Sequence, residues 1–128
     1  MLIAEEEKTM GKPVVHFEIG CRDKGRTRDF YHQLFGWQFQ EYGPAALMVD
    51  TQGGAGINGH VTSLGHEPHH YVMVYVQVED LQASLDSVNA LGGKTLVPPV
   101  EVPGQGSFAW FADPDGNTVG LWKPVSPA

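Results

Sequence analysis

Chemistry in this sequence could start from residues 14–19, Val-Val-His-Phe-Glu-Ile, where two ionisable groups stand in an apolar, β-forming run. A strand alternates its side chains, so His16 and Glu18 share one face while Phe17 and Ile19 take the other. An imidazole and a carboxylate turned into a sheltered space need partners there. In a dry cavity the pKa of Glu18 would rise, Glu18 could hydrogen-bond His16, and either group could serve as a general base. His66, His69 and His70 are also dense, but they lie in a polar stretch with Pro68 and read as surface histidines. Cys21 follows the strand and neighbours Arg22, a setting that can activate a thiol. The reading adopted is a small residue ending a strand. As the single cysteine it excludes an internal disulfide and a Cys-based zinc site.

The elements that must position these groups follow from periodicity. Residues 24–35 read as a helix whose apolar stripe is Phe30, Tyr31, Leu34 and Phe35, stopped by Gly36. Residues 37–41, 46–50 and 55–61 read as short strands joined by Gly-Pro and Gly-Gly turns. Residues 64–70 read as a linker. In the strand 71–78, Tyr71, Met73, Tyr75 and Gln77 share a face opposite four valines. Residues 81–91 form an amphipathic helix with Asp80 as N-cap and Gly92-Gly93 as stop. Residues 94–97 and 105–111 lead to a closing hairpin, with a loop around Pro98, Pro99 and Pro103 between them. The hairpin turn is Asp113-Pro114-Asp115-Gly116-Asn117, in which proline presets one angle and glycine accepts a positive one.

Composition narrows the function. A chain of 128 residues is one compact unit with room for a core. The net charge of −7, from 15 acidic and 8 basic residues, argues against nucleic acid as a partner. Arg22, Lys24, Arg26 and Arg28 cluster, but Asp23 and Asp29 interrupt them, which reads as a solvated helix start. No apolar run is long enough to span a membrane. Residues 1–12 carry Glu5, Glu6 and Glu7 where a signal peptide would be apolar, and read as a loose tail. The expectation is a cytoplasmic, soluble protein.

The order strand, helix, three strands occurs twice, so an internal repeat is expected. Asp23 falls on Asp80, Asp29 on Asp86, Leu34 on Leu91 and Gly36 on Gly93. His16 then falls on Met73 and Glu18 on Tyr75. In the hairpins Asp50 falls on Asp113 and Gly53 on Gly116. The boundaries are a tail at 1–12, a first module at 13–63, a linker at 64–70, a second module at 71–124 and a tail at 125–128.

With His16-Phe17-Glu18-Ile19, Asp29-Phe30-Tyr31, Phe35-Gly36-Trp37, Val78-Glu79-Asp80-Leu81 and the closing Asp113–Asn117 turn followed by Gly120-Leu121-Trp122, the chain resembles the vicinal oxygen chelate superfamily. That group holds glyoxalases, bleomycin-resistance proteins and ring-cleaving dioxygenases. The resemblance implies an α+β fold of two tandem βαβββ modules whose curved mixed sheet encloses a cavity. It also implies, in metal-dependent members, one ligand from each of the first, fourth, fifth and eighth strands. Carried over, His16 matches the first position, Met73 the fifth and Gly120 the eighth, while the fourth lies near Ile57 or Asn58.

Only His16 is a good donor among these, and a first-row divalent metal wants three or four. The expectation is therefore no metal and no other cofactor. The expected ligand-binding face is His16, Glu18, Asn58, Met73, Tyr75, Trp110 and Trp122, with His16 and Glu18 as the catalytic candidates. The function expected is small-molecule binding in the manner of the bleomycin-resistance relatives, with the acidic surface suiting a cationic ligand or one rich in hydrogen bonds. The alternative is a lyase, isomerase or dioxygenase-type enzyme, metal-dependent or using Glu18 or His16 as base. A homodimer is also expected from the resemblance.

Overall fold

The computed structural model describes residues 11–64 and 70–125. The first module runs β1 (Val14–Gly20), α1 (Lys24–Phe35), β2 (Gln38–Tyr42), β3 (Ala46–Asp50) and β4 (Gly59–Thr62). The second runs β5 (Val72–Gln77), α2 (Leu81–Ala90), β6 (Lys94–Val102), β7 (Gly106–Ala112) and β8 (Thr118–Pro124). The strands form one eight-stranded sheet in the order β2-β3-β4-β1-β5-β8-β7-β6. At its centre β1 and β5 pair antiparallel, joining the modules, with His16 opposite Tyr75 and Glu18 opposite Met73. Each central strand pairs in parallel with the last strand of its own module: Glu18 lies opposite His60 of β4, and Tyr75 opposite Gly120 of β8.

Both helices start at an aspartate, as capping chemistry requires: Asp23 accepts from the Arg26 amide at 3.1 Å and Asp80 from the Ala83 amide at 2.9 Å. α1 ends at Gly36 with φ of 75°, a left-handed conformation that glycine adopts without steric cost. Three cores divide the interior. One side of the sheet holds Ile19, Cys21, Val49 and Val61 in the first module, and Leu81, Leu85, Ala109 and Leu121 in the second. A third cluster, Met73, Tyr75 and Trp110, gathers the cavity-side aromatics. Cys21 is buried and its Sγ approaches the Thr62 carbonyl at 3.6 Å. Burial pushes its thiol pKa up, which disfavours the reactive thiolate.

Three expectations need correction. The expected stripe of α1 does not enter the core: Phe30, Leu34 and Phe35 are more than half exposed, and no α1 residue is buried. Tyr31 alone turns inward, stacked on Trp37 at 5.1 Å. The fourth strand begins at Gly59 rather than at residue 55, because residues 51–58 are held as a loop. In that loop the Asn58 carboxamide oxygen accepts from the Thr51 amide at 2.9 Å and the Thr51 hydroxyl at 3.1 Å. Finally, Pro98 and Pro99 lie inside β6 and not in a loop. β6 is an edge strand whose register slips on either side of Val97, which is where proline is tolerated in a sheet.

The stretch 65–69, with His66 and His69, lies outside the described residues, as do residues 1–10 of the expected N-terminal tail and 126–128 of the C-terminal one. His70 is exposed. Among the described residues no helix is long and apolar enough to cross a membrane.

Candidate functional site

Alternation along the two central strands turns the polar side chains of β1 and the aromatic ones of β5 to the same side. There the sheet borders a cavity of about 860 Å³. His16, Glu18, Tyr75, Trp110 and Trp122 line it, so five of the seven residues expected there are brought together. Met73 is not on the lining; it is 4% exposed and packs with Tyr75 and Trp110. Asn58 is not there either, because its side chain is spent holding the 51–58 loop.

Glu18 is the deepest polar group, 2% exposed. Three donors converge on its carboxylate. Tyr75 donates to Oε1 at 2.5 Å, Tyr71 donates to Oε2, and His60 Nε2 lies 3.3 Å from Oε1. Burial alone would raise its pKa, but the hydrogen bond and charge of His60, with the two phenols, outweigh burial and hold it below the usual carboxylate range. The expected upward shift is therefore corrected: a carboxylate this well solvated by protein donors stays ionised. Tyr71 and Tyr75 move the other way, pushed up by burial and by the adjacent anion. Tyr75 also accepts from the Trp110 indole at 2.9 Å.

His60 is the site residue that sequence reading missed. It meets Glu18 on one side and His16 on the other, where His16 Nε2 and His60 Nδ1 are 2.7 Å apart. His16 thus does not bond Glu18 directly; His60 stands between them. Burial and then the neighbouring His60 lower the His16 pKa to about 4, against a smaller opposing pull from Glu18. The fourth-strand position expected at Ile57 or Asn58 is His60, whose place in β4 corresponds to that of Gly120 in β8. The slip has a simple cause. The turn before β4 spans residues 51–58 and the turn before β8 spans 113–117, so aligning the turns by their Asp and Gly displaces the strand by three.

Gly120 has its own constraint. A Cβ built there would lie 2.3 Å from the Tyr75 ring, so Tyr75 fills the space into which an eighth-strand side chain would project. The four positions thus hold two imidazoles bonded to each other, a packed thioether and a glycine. Among the described residues no group of three or more His, Cys, Asp or Glu is arranged to hold a metal ion. The remaining wall mixes apolar and aromatic side chains, Met48, Phe108 and Trp122 among them, with the carboxamides of Gln40, Gln77 and Gln105, and the lining includes no Lys or Arg. Its other carboxylate, Glu41, is paired with Lys24 at 2.7 Å.

Comparison with known proteins gives the same fold and a family. The chain is 32% identical over 109 residues to a glyoxylase-like domain-containing protein of Didymella fabae, covering 79% of this chain and 85% of that protein. It is 28% identical over 124 residues to the anthracycline biosynthesis protein DnrV of Streptomyces peucetius, covering 84% of this chain and 45% of the relative, so it spans under half of DnrV. Among solved structures, methylmalonyl-CoA epimerase from Mycobacterium tuberculosis superposes with a TM-score of 0.67 at 14% identity, over 98% of this chain and 94% of that one. At that identity the likeness is one of fold. The family model of the glyoxalase/bleomycin resistance protein/dioxygenase superfamily matches residues 14–121. With well over half of the chain inside that match, this protein belongs to the glyoxalase/bleomycin resistance protein/dioxygenase superfamily.

Proposed function

We propose that the chain binds a small, neutral or cationic, largely aromatic molecule in its cavity, without the metal used by metal-dependent members of its superfamily. The carrying observation is the lining: the aromatic rings of Tyr75, Phe108, Trp110 and Trp122 stand with a few polar groups, the hydrogen-bonded Glu18 carboxylate and the carboxamides of three glutamines among them, and with no Lys or Arg. Pockets of this make-up take apolar ligands and orient them through a few polar groups. An anionic ligand such as a CoA thioester would find no counter-charge on the lining, which separates this reading from that of the epimerase neighbour. The anthracycline-biosynthesis name of one relative makes fused-ring aromatic compounds the first to test.

The residues present do not fit a bound divalent metal. His16 and His60 turn ring nitrogens on each other, Gly120 brings no donor, and Tyr75 occupies the space one would need. No step is therefore assigned to a metal. Self-association into a homodimer belongs to the same reading; the exposed Phe30, Leu34 and Phe35 of α1 support it, and light scattering at micromolar concentration should give a dimer mass.

The test is a thermal-shift screen with tryptophan fluorescence, because Trp110 and Trp122 line the cavity. Neutral and cationic aromatics should stabilise the protein and quench its fluorescence, while analogues bearing a permanent anion, a carboxylate or a sulfonate, should do neither. No stabiliser from the panel, with a crystal structure showing the cavity filled by side chains, would overturn the reading. A catalytic reading is favoured by one specific observation. The oxygens of Glu18 are taken by three donors, whereas Nδ1 of His16 has no hydrogen-bond partner among the described residues.

A further inference from the structure

Proton positions along the imidazole pair can be worked out from their partners. His60 Nε2 faces the Glu18 carboxylate, which can only accept, so Nε2 carries the proton. In neutral His60 the other nitrogen, Nδ1, is then an acceptor. It lies 2.7 Å from His16 Nε2, which must donate to it. Neutral His16 is thereby locked in the tautomer with Nε2 protonated, which leaves a lone pair on Nδ1 of a ring that lines the cavity. Glu18 is kept in place as an anion by Tyr71 and Tyr75.

We propose that His16 is the group that takes a proton from a ligand carrying a weakly acidic hydroxyl, a phenol or an enol, and that His60 and Glu18 draw the resulting charge away from it. This rests on reading the cavity as the ligand site. In the step the ligand O–H bond breaks and its electron pair stays on oxygen. The proton goes to Nδ1 of His16, while the proton on its Nε2 passes to Nδ1 of His60. His16 ends neutral, and His60 ends as an imidazolium against the Glu18 carboxylate, balancing the oxyanion formed in the cavity. The return path reverses each transfer. His16 is the contacting base; His60 and Glu18 are positioning residues. An isolated buried imidazole would resist taking a second proton; the Glu18 carboxylate, 3.3 Å from His60 Nε2, gives the charge on His60 a counter-ion.

Two measurements test it. Nitrogen-15 NMR of the ligand-free protein at neutral pH should show both His16 and His60 protonated at Nε2; finding His16 protonated at Nδ1 overturns the relay without touching the cavity reading. The second uses 4-nitrophenol, whose colour reports its ionisation, with tryptophan quenching to report binding. Its ionisation midpoint should fall by about one pH unit or more on binding to the native protein, a tenfold shift. The shift should vanish in His16→Gln and be largely lost in His60→Asn, each read at probe concentrations that saturate that variant by tryptophan quenching. Binding with an unshifted midpoint, or an undiminished shift in His60→Asn, overturns the relay alone. Absence of binding to the native protein overturns the relay and the cavity reading together.

Discussion

At the scale of residues the site is decided by what surrounds Glu18 and His16. His16 is held neutral in the folded protein, at about 4 against an ordinary value of 6.5. The unfolded chain therefore binds its proton first as pH falls. The stability contribution is full above about 6.5, is lost as pH falls toward about 4, and changes no further below that. Glu18, also lowered, acts in the same direction at more acid pH. Denaturation curves at pH 7 and pH 4.5 should differ by on the order of 2 kcal/mol after allowing for solvent screening, and His16→Phe should shrink that difference. Gly120 gives a sharper test. Gly120→Ala places a methyl against the Tyr75 ring and should cost about 1–3 kcal/mol in urea unfolding, with much of it recovered in the Gly120→Ala, Tyr75→Ala double variant relative to Tyr75→Ala alone.

At the scale of elements the two helices are equal in sequence pattern and unequal in burial. α2 buries Leu81 and Leu85, whereas α1 buries none of its side chains. Local opening requires less where little apolar surface is buried. At concentrations where light scattering gives the monomer mass, amide hydrogen exchange in α1 should therefore be at least about tenfold faster than in α2, and protection of α1 should rise as the dimer forms. The closing turn is stabilised differently, by one side chain. Asp113 accepts from the amides of Asp115 and Asn117 at 3.0 and 2.9 Å and from the Asn117 carboxamide at 2.8 Å. Asp113→Ala should lower the urea midpoint, because those donors lose their acceptor.

At the scale of the whole molecule the sheet joins two modules through β1 and β5, so the cavity belongs to neither module alone: Glu18 comes from one and Tyr75 from the other. Added zinc, nickel, manganese or iron(II) should leave the melting temperature within about 1 °C of the metal-free value. A stabilisation that disappears in His16→Ala would instead show a metal held at these strands, since anything binding the native state alone raises its stability.

The sequence by itself determined the element order, both helix starts, the closing turn and which strand faces carry the ionisable and aromatic groups. These follow from local physics: period-two alternation, capping aspartates, and turn residues that act within a few positions. The repeated order of elements was legible for the same reason, as its matching residues sit at helix starts, helix ends and turns. What the tertiary structure decided was anything set by register between distant strands. His60 stands next to Glu18 only because β4 pairs in parallel with β1, and loop length, not motif, fixes that register. The burial that raises the pKa of an isolated carboxylate was legible for Glu18; the three donors that reverse it come from β4, β5 and the segment before β5, and only the folded sheet brings them together.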